Sequence, residues 1–65
     1  MKILVNGAWR ETGAAELSGL LAELGLAGAV VATAVNGEFV AAAVRPHTVL
    51  TEGDRVEVLA PMQGG

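Results

Sequence analysis

Two Asn-Gly dipeptides, Asn6-Gly7 and Asn36-Gly37, constrain the fold of this chain more than any other feature of its sequence. Both residue types tolerate a positive φ, which the tight two-residue turns of β-hairpins require. Each dipeptide stands between short apolar runs, as a hairpin turn should. The sequence therefore predicts two β-hairpins, with strands over residues 2–5, 8–11, 30–35 and 38–40.

A single amphipathic helix is predicted between the two hairpins. Four leucines follow the i, i+3, i+4, i+7 spacing of one helical face; they are Leu17, Leu20, Leu21 and Leu24. Thr12 is the predicted N-cap of this helix, and Gly25 is the predicted C′ residue that ends it.

The last predicted strand covers residues 55–59. In this strand Val56 and Val58 alternate with Arg55 and Glu57, which predicts one buried side and one solvent-facing side. Because successive side chains of a strand point to opposite faces, the two valines are assigned to the core.

The order strand, strand, helix and further short strands predicts an α+β fold, with one helix packed across one face of a sheet of four to five strands. Residues 41–48 have no clear assignment, and Pro46 argues against a central strand there. The predicted core consists of Ile3, Val5, Leu17, Leu20, Leu21, Leu24, Val35, Val56 and Val58.

The sequence contains few side chains that could catalyse a reaction. The 65 residues include no cysteine and one histidine, His47. A thiolate nucleophile is therefore excluded, and a lone histidine does not make a zinc site. We expect no catalytic residue and no bound metal or cofactor, and we interpret His47 as an exposed loop residue. Trp9 is interpreted as partly covering the core from the second strand, with a partner contact as the alternative.

The charge balance is acidic, with seven Asp and Glu against four Lys and Arg and a net charge of −3. Nothing resembles the basic stripe that binds nucleic-acid phosphates, so a basic protein surface is the better partner. The apolar runs are too short for a signal peptide or a membrane span. We therefore expect no nucleic-acid partner, no membrane partner and a cytoplasmic location.

The last five residues, 61–65, have the sequence Pro-Met-Gln-Gly-Gly. Terminal glycines add nothing to a core and are costly to order, so a frayed end is one interpretation. The other interpretation is functional, because two glycines form the thinnest possible thread. An enzyme could draw such a thread through a narrow channel and react the α-carboxylate of Gly65.

Five segments together carry a family resemblance: residues 1–7, 20–25, 35–38 with Val40, 53–59 and 61–65. In this order, and at this length, the chain resembles the ThiS family, the ubiquitin-like β-grasp sulfur carrier proteins of thiamine biosynthesis. Each segment alone is weakly specific, whereas their joint occurrence over nearly the whole chain is strongly specific. The resemblance implies a mixed sheet with the first and last strands parallel at its centre.

The resemblance also implies a chemistry. An E1-like activating enzyme would use ATP to adenylate the carboxylate of Gly65, and a sulfur donor such as a cysteine desulfurase would convert the adenylate to a thiocarboxylate. Thiazole synthase would then take the sulfur for thiazole formation. The chain itself would be a carrier and no enzyme, with residues 1–60 as the β-grasp domain and residues 61–65 as a flexible carrier tail.

Gln63 and Gly64 complete the tail that presents Gly65, and candidate docking residues near its exit are Met62, Glu57 and Arg55. Three alternatives remain open. A small subunit of molybdopterin synthase and a protein-conjugating modifier would share the activation chemistry. A β-grasp interaction domain without a carrier role would tolerate removal of the last two residues.

Overall fold

A computed structural model describes residues 1–60 of the chain. Within them it has five β-strands, one α-helix and one 3₁₀ helix; these are β1 (Lys2–Val5), β2 (Ala8–Glu11), α1 (Leu17–Glu23), β3 (Ala32–Val35), β4 (Glu38–Val40), the 3₁₀ helix (Ala42–His47) and β5 (Arg55–Leu59). The strands form one mixed sheet in the order β2-β1-β5-β3-β4. The predicted α+β, β-grasp fold is confirmed.

Both predicted hairpin turns are present. Asn6 and Gly7 have φ angles of 49° and 82°, and Asn36 and Gly37 have φ angles of 51° and 84°. Positive φ at both central residues is the signature of a type I′ turn, whose twist matches that of the flanking strands. These turns set the antiparallel pairs β1–β2 and β3–β4.

The first and last strands lie side by side within the sheet. β5 pairs with β1 in parallel and with β3 antiparallel, so it is bonded along both edges. A parallel pair needs a long crossover connection. Here the connection between β1 and β5 contains α1 and the second hairpin. Because β3 of that hairpin pairs with the other edge of β5, β5 becomes the central strand.

The helix begins later than its sequence predicts. Thr12 is not the N-cap, because α1 begins at Leu17 and the cap position belongs to Glu16, which makes no side-chain capping bond. The Leu17 N–H donates instead to the carbonyl of Thr48 at 2.9 Å. The buried Thr12 hydroxyl donates to Glu23 Oε1 at 2.6 Å, and this bond ties the end of β2 to the last turn of α1.

The helix ends as predicted, at Gly25. This residue has a φ of 76°, and its N–H donates to the carbonyl of Ala22. The N–H of Leu26 donates to the carbonyl of Leu21 at 2.8 Å. Together these two bonds form a Schellman motif, which satisfies carbonyls that the helix end would otherwise leave unpaired.

The core lies between α1 and one face of the sheet. Its buried side chains are Ile3, Leu17, Leu20, Leu21, Leu50 and Val56. Leu50 is missing from the sequence-based core. The four other predicted members, Val5, Leu24, Val35 and Val58, are only partly buried and pack around the cluster.

Two segments differ from their sequence-based description. The strand predicted from Val30 begins two residues later, and Val30 itself is exposed. The unassigned segment forms the 3₁₀ helix, with Pro46 inside it. Arg45 anchors this helix to the sheet, because its Nε donates to Thr33 Oγ1 at 2.9 Å and its second guanidinium nitrogen donates to the carbonyl of Val31.

Candidate functional site

The residues predicted to carry the chemistry belong to the C-terminal segment. Gly65, Gly64, Gln63 and Met62 lie outside the residues that the structure describes, and their assignment stays a prediction. The division into a domain of residues 1–60 and a tail of residues 61–65 stays a prediction for the same reason. The structure does describe the strand that leads to this segment.

That strand, β5, is paired with β3 along most of its length and with β1 over its first two residues. On one side Leu4 and Val5 of β1 pair with Arg55 and Val56. On the other side the pairing with β3 continues to Leu59, the last residue of the strand. A central strand bonded on both sides is the most firmly held part of a small sheet, since edge strands leave half of their main-chain groups unpaired. The last five residues therefore follow a rigid support.

Arg55 and Glu57 occupy the face of β5 that points away from α1. Both side chains are exposed, whereas Val56 between them is buried. Arg55 lies opposite Leu4 of β1, and Glu57 lies opposite Ala34 of β3. The predicted alternation along the last strand is confirmed, and the two candidate docking residues share one surface.

This surface, which we call the open face, is the side of the sheet that α1 does not cover. Next to Glu57 it presents an apolar patch formed by Ala32, Ala34, Phe39 and Leu59, with a shallow depression of about 120 Å³. Phe39 is 74% exposed and Leu59 is 66% exposed. Exposed apolar side chains that cluster in this way mark interaction sites more often than single ones do.

No sequence-based prediction included this patch, although a signal for the exposure of Phe39 was present. Phe39 alternates with Val40, and only one of two neighbours on a strand can face the core. Val40 faces it, so Phe39 lies on the open face opposite Ala34.

Trp9 also lies on the open face, at the other end of the sheet. It pairs with Leu4 in the register of the first hairpin, and it is 63% exposed. The interpretation of Trp9 as a partial cover of the core is therefore wrong. The register of the hairpin explains why. Leu4 lies on the sheet face opposite to that of the buried Ile3, and Trp9 lies on the same face as Leu4.

The turn before β5 is fixed by a carboxylate. Asp54 accepts hydrogen bonds from the main-chain N–H of Thr51 at 2.8 Å and from Asn36 Nδ2 at 3.0 Å. The Thr51 N–H first, and the Asn36 side chain second, lower the pKa of Asp54 below its ordinary value of 3.8. Both bonds stabilise the charged carboxylate, and both hold the start of β5 in place.

The described residues present no second candidate for chemistry. Within residues 1–60 no group of three His, Cys, Asp or Glu side chains could hold a metal ion. His47 is exposed, at the end of the 3₁₀ helix. No helix in the described part of the chain is long and apolar enough to cross a bilayer.

Comparison with known proteins gives consistent results. The model of the ThiS family matches residues 3–65. Among solved structures, the chain is similar to the crystal structure of a thiamine biosynthesis protein (ThiS) from Geobacter metallireducens, with 35% sequence identity and a TM-score of 0.82. The match covers 100% of both chains. The corresponding comparison with curated proteins gave no match.

Proposed function

The chain belongs to the ThiS family, and from this premise we propose that it carries sulfur for thiazole formation in thiamine biosynthesis, with the carboxylate of Gly65 as the carrier group. The observation that carries the proposal is the extent of the family match. It runs from Ile3 through the last residue, so the Gly64-Gly65 end belongs to the matched pattern.

The chemistry begins with activation of the carboxylate. A carboxylate is a poor electrophile, so a partner enzyme joins one of its oxygens to the α-phosphate of ATP and releases pyrophosphate. Sulfide, which a thiol reductant releases when the donor holds its sulfur as a persulfide, then forms a bond to the carbonyl carbon, and AMP leaves with the electron pair of the broken C–O bond. The product is a thiocarboxylate on Gly65. ATP is the substrate of the partner, and the carrier binds no cofactor of its own.

Three partners follow from this cycle: an adenylating enzyme of the E1 type, a sulfur donor such as a cysteine desulfurase, and thiazole synthase. The absence of cysteine from the sequence supports sulfur transfer on the main-chain terminus, because no side chain offers a thiolate.

The open face is the best-supported docking surface for these partners. Gly65 lies five positions after Ala60, and five residues span at most about 18 Å. A partner that acts on Gly65 must therefore contact the chain close to the end of β5. The apolar patch around Phe39 and Leu59 lies there, with Glu57 beside it. Arg55 and Glu57 supply charges that can steer a partner, and Met62 is the tail residue proposed to extend the contact.

The direct test is to load sulfur onto the protein in a reaction with its activating enzyme. Incubation with the activating enzyme, ATP and sulfide should raise the intact mass by the difference between sulfur and oxygen, and fragmentation should locate the change at Gly65. Deletion of Gly65, or addition of one residue after it, should abolish loading without a change in the circular dichroism spectrum. Displacements near 1 Å can already reduce rates about 100-fold.

Gly64→Val tests the thread itself. Valine is wider than glycine and stiff at χ1, so this variant should fold normally and load poorly. Gly64→Ala is the matched control, because it adds a Cβ without branching and should load better than the valine variant. Full loading of all the tail variants would refute the carrier function and favour an interaction domain.

The thiamine pathway is preferred to molybdopterin synthesis because the matched family and the matched structure both belong to thiamine biosynthesis. A loaded carrier that supplies sulfur to thiazole synthase would support this choice. A loaded carrier that supplies only molybdopterin synthase would overturn it.

A further inference from the structure

The side chain of Asn6 bonds both main-chain polar groups of one residue in β5. The N–H of Val58 donates to Asn6 Oδ1 at 2.8 Å, and Asn6 Nδ2 donates to the carbonyl of Val58 at 3.1 Å. The two residues lie 52 positions apart in sequence. The amide thus presents one acceptor and one donor to Val58, as the main chain of a neighbouring strand would.

These two hydrogen bonds take the place of main-chain bonds that β1 is too short to make with Val58. The parallel ladder ends early, because β1 turns into its hairpin at Asn6-Gly7. Its last main-chain bond runs from the N–H of Asn6 to the carbonyl of Val56, at 2.9 Å. Beyond that point, no strand within residues 1–60 lies on the β1 side of β5. The Asn6 side chain extends the ladder by two residues, to Val58.

The position of this bond matters because it lies close to the C-terminal segment. Only Leu59 and Ala60 separate Val58 from the five residues that end in Gly65. Leu59 pairs with β3 on the other side of the strand. The two contacts therefore fix the end of β5 from both sides, and Asn6 supplies the one on the β1 side.

We propose that Asn6 is a positioning residue for the reaction at Gly65, acting through Val58 to fix the position and direction of the end of β5, after which the last residues follow in sequence. This inference rests on the proposed function. Without the Asn6 amide, Val58 would bond to water, and the end of β5 would be held by β3 alone. The carboxylate would then be delivered less often to the place where the activating enzyme reacts it.

The second hairpin provides a matched control. Asn36 occupies the same position of the same turn type, with a φ of 51° against 49° for Asn6. Its side chain also makes two hydrogen bonds, accepting from the N–H of Arg55 at 2.9 Å and donating to Asp54 at 3.0 Å. It clamps the first residue of β5, as Asn6 clamps the end of the strand.

The experiment compares Asn6→Gly with Asn36→Gly. Glycine adopts the positive φ of both turns without strain, so each variant loses two side-chain hydrogen bonds and keeps its turn. Both should fold, with similar shifts in melting temperature. Amide exchange at Val58 should accelerate only in Asn6→Gly. In the loading assay with activating enzyme, ATP and sulfide, kcat should fall about tenfold in Asn6→Gly, as a displacement of less than 1 Å implies.

The split between kcat and KM separates positioning from docking. Because neither substitution changes Arg55, Glu57 or the apolar patch, KM should stay at the wild-type value in both variants, and kcat should stay at the wild-type value in Asn36→Gly. Equal kcat values in the two variants would overturn the inference, as would a rise in KM alone or unchanged exchange at Val58. A wild-type protein that takes up no sulfur would instead refute the proposed function, and the inference would fall with it.

Discussion

Replacing Leu50 by alanine should destabilise this domain severely, although Leu50 lies in a connection between elements. Its side chain is 4% exposed and packs in the same cluster as Leu17 and Val56. Its N–H donates to the carbonyl of Ala15 at 3.0 Å, which holds the connection against the chain before α1. The substitution removes three buried carbons and leaves these main-chain bonds in place.

The magnitude follows from burial and size. A buried Leu→Ala change costs about 2–5 kcal/mol. A domain of this length has a total unfolding free energy of about 3–10 kcal/mol. The variant should therefore lose a large part of its stability, and its Tm should fall by at least about 8 °C.

Val49→Ala is the control, because Val49 is the adjacent residue and is 70% exposed. Its cost should stay within about 0.5 kcal/mol. Urea unfolding followed by circular dichroism measures both free energies. If Leu50→Ala costs no more than Val49→Ala, the connection is not part of the core, and the packing of Leu50 described above is wrong.

Three further predictions concern the helix, the turn before β5 and the open face. Leu21→Ala should also cost about 2–5 kcal/mol in urea unfolding, and a wild-type curve would contradict the burial of α1. Asp54→Asn should destabilise the protein near neutral pH. Because folding lowers the pKa of Asp54, the charged carboxylate stabilises the fold at pH values above 3.8, and this stabilisation is lost as the pH falls through the lower folded pKa. Urea unfolding curves of wild type and variant should therefore converge in acid. Glu57→Lys should change the rate of association with the activating enzyme and the salt dependence of that rate. Glu38→Lys, on the opposite face of the sheet, should change neither. Equal effects of the two substitutions in stopped-flow measurements would place docking elsewhere.

The candidate site was predicted from two kinds of sequence information. The outward direction of Arg55 and Glu57 follows from the two-residue period of a strand, and it is confirmed. The assignment of Gly65 came from the Gly-Gly end and the family resemblance, and it stays a prediction. The apolar patch could not be assembled from the sequence, because Phe39 and Leu59 come from two strands, β4 and β5, that flank β3 on opposite sides.

The sequence by itself determined the two hairpins, the end of α1 and the limits of β5, because each of these features depends on interactions between nearby residues. An Asn-Gly pair between two apolar runs strongly favours a type I′ turn, and Gly25 ends a helix because it accepts a positive φ. Such signals act within a few residues, so they need no knowledge of the rest of the chain.

The tertiary structure alone decided the features that join distant segments. Leu50 is buried because residues 48–50 run against the chain that precedes α1, and Thr12 bonds to Glu23 because α1 begins only at Leu17. The Asn6 amide reaches Val58 because β1 and β5 lie side by side in parallel. In each case the partner is set by the path of the chain through the sheet, and neither periodicity nor turn chemistry contains that path.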